Sequence, residues 1–227
     1  MDWFTENQRD FWIAFGTTVE MVVVAGIIAL VLGSILAAMR VSPVPLARAV
    51  GTFYVYTVRN TPLLLIMFIF AFGIPNLGFQ PEILLGDFDL LRFNVFFIYA
   101  TVALGLYTAA FVCEALRSGI NSISMGQAEA ARAIGLTFGQ TLRLVVLPQA
   151  FRAVLQPVAS ALIAMIKNSA VAVGVGVTEM GFLMKKLGND YTSQIYTMFI
   201  CFALAYMFLV AIVAVTTAVL ERKVKVA

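Results

Sequence analysis

The chain has 227 residues, of which 62% are hydrophobic and 12% charged, and its net charge is +3. A soluble domain carries about a quarter charged residues, so this composition excludes a water-facing exterior over much of the chain and makes lipid the solvent. The small net charge argues against nucleic acid, and the lack of histidine removes the usual metal ligand and the usual base near neutral pH.

Residues 1–20 carry Asp2, Glu6, Arg9, Asp10 and Glu20 among the aromatics Trp3, Phe4, Phe11, Trp12 and Phe15. They offer neither the basic start nor the small-residue cleavage site of a secretory signal. They read instead as an external interfacial segment with rings at headgroup depth. Met21 to Met39 is uncharged and long enough to span a bilayer, and Gly26 and Gly33 allow close helix contact. After Arg40, Pro43, Pro45 and Arg48, a second uncharged run covers Asn60 to Pro81, with Pro62 in a first helical turn and Gly73, Pro75 and Gly78 marking its end. A connection with Glu82, Asp87, Asp89 and Arg92 leads to a third run, Phe93 to Cys113.

From Glu114 the chain turns polar. Ser124 to Gln127 has capping-box spacing and starts a short helix, and Gly135 is placed to stop it in the left-handed backbone of a helix end. Thr137 to Gln140 repeats the spacing and starts a second helix, which Pro148 ends or kinks. Ala153 to Ile166 is apolar, is interrupted by Lys167-Asn168-Ser169, and resumes to Thr178, giving one span or a broken one. Glu179, Lys185, Lys186 and Asp190 precede the longest uncharged run, Tyr191 to Leu220, and Arg222, Lys223 and Lys225 follow it. Cys113 and Cys201 lie in apolar runs as small buried hydrophobes.

Five spans place the two termini on opposite sides. One set of loops holds ten of the fifteen cations, from Arg40, Arg48, Arg59 and Arg117 through Arg132, Arg143 and Arg152 to the C-terminal three. The positive-inside bias makes that side cytoplasmic, together with the loop at 122–150.

No Gly-x4-Gly-Lys-Ser/Thr sequence is present, so no nucleotide site is evident, and there is no metal-ligand cluster and no nucleophile-base set. Lys167 lies about 20 Å along a helix from Arg152. A charge within a span faces a partner or a watery cavity, so Lys167 either lines a transport path and meets a substrate carboxylate, or snorkels or bridges to Glu114. Asn168 and Ser169 can satisfy a backbone break. Glu114 and Arg117 are three apart on one helix face, as a local ion pair would be. Tyr107 and Thr108 lie deeper in that span and can face a polar cavity. Glu129 sits in the first turns of its helix, where the dipole favours an acid. Arg132 and Arg143 can pair with a partner's acids or form a solvated face, and the small Ala130, Ala131 and Gly135 let a partner surface come close.

The order Glu129-Ala130-Ala131, three residues, Gly135, nine residues, Val145, one residue, Leu147-Pro148 resembles the EAA loop of bacterial ABC importer permeases, with Val145 where isoleucine is usual. Arg59-Asn60-Thr61-Pro62-Leu63, Glu114-Ala115-Leu116-Arg117-Ser118-Gly119-Ile120, Gly126-Gln127-Ala128-Glu129 and Lys167-Asn168-Ser169 are similar to segments of the polar amino acid permeases in that family, with Ala170-Val171 where Ser-Leu is common. The likeness covers residues 17–220 and is greatest to glutamate-uptake permeases.

The resemblance implies an all-α membrane protein of about five transmembrane helices with a cytoplasmic two-helix coupling loop, the type I importer architecture. It implies a transmembrane domain over 17–220 and a cytoplasmic tail at 221–227. It implies a permease, not an enzyme, with no cofactor of its own, ATP and magnesium being bound by two partner ATPases. A second permease subunit, identical or related, and an external solute-binding protein complete the machine, with the N-terminus outside the plasma membrane and the C-terminus inside. Coupling falls to Glu129, Ala130, Ala131, Arg132, Gly135, Leu147 and Pro148. The path of a polar amino acid such as glutamate falls to Lys167, Asn168, Ser169, Glu114, Tyr107, Arg59 and Thr61. Two other readings are weighed against it. An ion-coupled secondary amino acid transporter would use Lys167 and Glu114 as a relay, but inverted repeats are not evident here. A scaffold would gain nothing from a charge in mid-span.

Overall fold

A computed structural model describes residues 2–78 and 95–224, all helical or in turns, without a strand among those residues. The acidic connection at Glu82, Asp87, Asp89 and Arg92, the last residues of the second apolar run, Phe93 of the third, and Lys225 lie outside the described residues.

Helix α1 (Asp2–Val41) joins the interfacial stretch and the first span in one helix of 40 residues, bent at Asn7. Its length exceeds what a bilayer needs, so its first turns pack on protein. Trp3 and Phe11 are buried with Met180, Leu183, Met198 and Phe202, and Trp3 stacks on Phe202 at 6.1 Å. This corrects the headgroup reading for those two rings, whereas Trp12 remains exposed.

Helix α2 (Pro45–Arg59) and helix α3 (Leu63–Asn76) meet at an angle of 104°. Pro62 cannot continue the ladder, and the bend is sealed by side chains: Asn60 Nδ2 donates to Tyr56 O at 2.7 Å and Thr61 Oγ1 to Thr57 O at 2.8 Å. The described part of the second run is therefore only the downstream arm of a bent pair, whose upstream arm, α2, lies in the stretch read as a connection. Helix α3 contains a π-turn, Ile69–Gly73, and ends near Pro75 and Gly78, as the sequence requires.

Helix α4 (Val95–Asn121) is the centre of the bundle. It lies along α1 in close backbone approach. A Cβ on Gly33 would come within 2.7 Å of Val112 Cγ1, and one on Gly105 within 2.8 Å of the Ile28 side chain. Small residues at such crossings replace the hydrophobic drive that lipid cannot supply.

The loop holds α5 (Met125–Ala133) and α6 (Phe138–Thr141), followed by a π-turn, Leu142–Val146. Helix α7 (Leu147–Asn168) then runs through Pro148 and Pro157. Pro148 neither ends nor kinks a separate helix. It occupies the first turn of α7, where its missing N–H costs nothing. Past Asn168 the helix tightens to a 3₁₀ segment, Ser169–Val175, closed by Gly176: the broken span that Lys167-Asn168-Ser169 announces. Helix α8 (Met180–Asp190) turns back, and α9 (Ile195–Val224) spans again. Counting the bent pair as one, five segments among the described residues are long and apolar enough to cross a membrane.

Gly33→Leu overpacks the α1–α4 crossing, an error that costs about 1–3 kcal/mol. The purified variant should melt several degrees below the parent in detergent. Gly16→Ala, where nothing lies within 4 Å, should melt with it.

Candidate functional site

The coupling candidates form one surface. Helix α5 ends in a Schellman turn: Gly135 N donates to Arg132 O at 3.0 Å, Leu136 N donates to Ala131 O at 3.2 Å, and Gly135 has φ +95°. Glycine is needed there because a Cβ is strained at positive φ. The capping box expected at Ser124 is not formed, since Gln127 N bonds the Ser124 carbonyl at 3.1 Å. The one at Thr137 is reciprocal: Thr137 N to Gln140 Oε1 at 2.9 Å, and Gln140 N to Thr137 Oγ1 at 3.4 Å. The fixed turns leave Glu129, Ala130, Arg132, Gly135 and Pro148 exposed and bury Ala131. Two apolar residues stand out beside them, Ile134 at 81% and Leu144 at 62% exposure, with Leu147 also exposed.

The pathway candidates divide. Tyr107 and Asn168 line one cavity of about 280 Å³ between α4 and α7, with Thr108, Phe111 and Ser160. That volume is near the lower end of ligand pockets, about 300–1,000 Å³. Lys167 is exposed beside it and makes no ion pair among the described residues. Ser169 is buried and donates to Ile166 O at 2.7 Å, so it closes the break in α7 and does not face the cavity. Thr61 is spent on Thr57 O at the α2–α3 bend.

Glu114 and Arg59 belong to an ionic cluster larger than the local pair the spacing suggests. The Glu114 carboxylate binds Arg40 by a short contact, Arg117 at 3.2 Å and Arg59 at 3.6 Å. One acid thus joins α1, α2 and α4, leaving no bridge to Lys167. Arg59 also lies over the Phe111 ring at 5.5 Å, and Phe111 touches Tyr107 at 5.0 Å, which connects the cluster to the cavity. Gly51 permits the arrangement: a Cβ there would meet Arg40 Cγ at 3.0 Å.

Sequence reasoning passed over Glu179. It is fully buried and caps α8, accepting from Phe182 N at 3.0 Å and from Tyr206 OH at 2.8 Å, with Thr18 Oγ1 at 3.5 Å. Met180 N donates to Thr18 Oγ1 at 3.1 Å. An acid three residues ahead of a helical N–H is the available signal, but nothing local names Thr18 or Tyr206.

The profile of binding-protein-dependent transport system inner membrane components matches residues 29–226. The glutamate transport system permease protein GluC of Corynebacterium efficiens is 42% identical over 86% of this chain and 86% of that protein. The glutamate/aspartate import permease protein GltJ of Escherichia coli K12 is 37% identical over 94% of this chain and 87% of that protein. A crystal structure of an amino acid ABC transporter with histidines superposes with a TM-score of 0.80 at 24% identity, covering 97% of this chain and 96% of that one. The last likeness concerns the fold.

Removing Glu114 leaves Arg40, Arg59 and Arg117 close together without the carboxylate they share, in a partly accessible cluster where the loss is smaller than for a fully buried pair. Glu114→Ala should therefore lower the melting temperature of the detergent-solubilised chain. Combined with Arg40→Ala it should cost less than the two singles together in thermal melts; strict additivity would remove the cluster from the stability account.

Proposed function

The chain belongs to the family of binding-protein-dependent transport system inner membrane components, and from that premise we propose how its residues divide the work. It is the permease subunit of an ABC importer for amino acids, all-helical, and not an enzyme. The cargo we propose is glutamate or a closely related polar amino acid, as the names of GluC and GltJ have it for those proteins. An anionic side chain fits a path that passes the exposed Lys167 beside the cavity and Arg59, which stacks on its lining residue Phe111.

The observation that carries the mechanism is the rigid, exposed face of the loop: Glu129, Ala130 and Arg132 on a helix locked by the Gly135 turn, with Ile134 and Leu144 beside them. Proteins of this kind work with ATPase subunits, and we assign this face to that contact, with Leu147 and Pro148 at the root of α7. The chain lacks a phosphate-binding loop, so the ATP and magnesium belong to the ATPases. In our reading two of these dock on two permease subunits, an external binding protein delivers the amino acid, and the N-terminus is outside with the C-terminus in the cytoplasm. Closure of the ATPase pair pushes the loop, and the push reaches the α4–α7 cavity through the two helices that leave it. An ion-coupled carrier is not favoured by these relatives.

Glu129→Trp should reduce uptake and substrate-stimulated ATP hydrolysis at least ten-fold in the reconstituted importer, with insertion unchanged. If both rates and ATPase capture persist, the loop is not the coupling element. Lys167→Met should raise the half-saturating concentration for acidic amino acid uptake several-fold and leave assembly intact, and unchanged kinetics would remove Lys167 from the path.

A further inference from the structure

A second cavity, about 610 Å³ and widely open, lies among the ends of α1, α2 and α4 and is lined by Arg40, Arg48, Thr52, Phe53, Tyr56 and Arg117. Its charge is unbalanced. Arg40, Arg59 and Arg117 share the single carboxylate of Glu114, and Arg48 adds a fourth cation. Among the described residues three arginines, Arg40, Arg48 and Arg117, line the cavity, and the one carboxylate that Arg40 and Arg117 meet is shared with Arg59, so positive charge is in excess there. Arg48 spends one contact, on Ser42 O at 3.2 Å, of the five donors a guanidinium carries.

The neighbouring face of α2 is apolar and exposed. Leu46 and Phe53 are each 73% exposed, and Val50 lies between them at helical spacing. Tyr56, 72% exposed, stands at the cavity edge. A basic pocket flanked by an apolar stripe has the shape of an amphiphile with an anionic head.

We propose that this cavity holds the phosphodiester headgroup of an anionic phospholipid, with Arg48 and Arg117 on the phosphate and Leu46, Val50 and Phe53 along the acyl chains. Basic pockets between helix ends on the cytoplasmic side attract such lipids. A free phosphate would leave the stripe without a purpose. A second copy of this chain is a poor occupant, because its described acids on the same side are few: Glu114 is held by three arginines, Glu221 accepts from Gln156 at 2.8 Å, and Glu129 is on the coupling loop. The leaflet follows from the orientation proposed above, but the lipid contact itself does not depend on it.

The test uses the full chain in neutral detergent, titrated with short-chain phosphatidylglycerol, with phosphatidylcholine or with sodium phosphate, retained lipid being counted by native mass spectrometry. Arg48→Gln should raise the phosphatidylglycerol concentration for half occupancy about five-fold, since each such cation contributes about that factor near a charged surface. Arg48→Lys should keep most of the affinity, phosphatidylcholine should not distinguish the variants, and sodium phosphate should not displace the lipid. The proposal is overturned if Arg48→Gln and the double variant with Phe53→Ala bind phosphatidylglycerol like the parent, or if phosphate alone displaces it. It is equally overturned if a photo-crosslinker at position 53 in native membranes captures a protein chain in place of lipid.

Discussion

The Glu114 carboxylate is where the helices of this bundle are held to one another by something stronger than contact. Lipid gives helices no hydrophobic reason to associate, so the ends of α1, α2 and α4 need either close backbone packing or a polar tie. Gly33 and Gly105 supply the first along the α1–α4 crossing. Glu114 supplies the second, with one arginine from each of the three helices. The cluster is partly accessible, which limits its desolvation cost, and its three donors leave the carboxylate no reason to leave.

The position of that cluster ties the loop to the bundle. Helix α4 runs only two turns beyond Glu114 before the loop begins. On the return side α7 is pressed on the end of α4, where a Cβ on Gly119 would meet Val154 Cγ1 at 2.3 Å. The loop therefore cannot be displaced without carrying both helices, and these two helices line the cavity of Tyr107, Thr108 and Asn168. The loop and the cavity thus lie along the same pair of helices.

Much of this arrangement was legible in the sequence because it rests on local rules. Charge-free runs marked the spans except α2, which carries Arg48 and Arg59 and reads as a connection; Gly135 marked the end of α5, Thr137 and Gln140 a formed capping box, and Lys167-Asn168-Ser169 the break in α7. The misses share a physical cause: they depend on which residues meet across helices. Trp3 reads as an interfacial ring until α8 and α9 cover it. Arg40 reads as a loop cation until Gly51 lets it reach Glu114. Ser124 has the spacing of a cap, yet a backbone carbonyl took the bond first. Pro148 reads as a stop because the preceding π-turn, which makes room for it, has no strong signature.

Two acids, the half-buried Glu114 and the fully buried Glu179, tie the bundle at different depths. Thr18, which meets Glu179, and Arg40, which meets Glu114, lie 22 residues apart on α1, about 33 Å at 1.5 Å per residue. That distance matches a hydrocarbon core of about 30 Å, so the polar ties sit at its two margins. They differ in kind. Glu114 is held by cations whose long side chains can rearrange. Glu179 is held by two hydroxyls and the first N–H groups of α8, short groups that fix position and favour an acid at a helix start. The 3₁₀ end of α7 packs at this second margin, and its other end joins the loop at 122–150. Under the coupling we propose, a push on the loop would meet the long, mobile arginine side chains near it and the short hydroxyl and N–H contacts of Glu179 at the far margin.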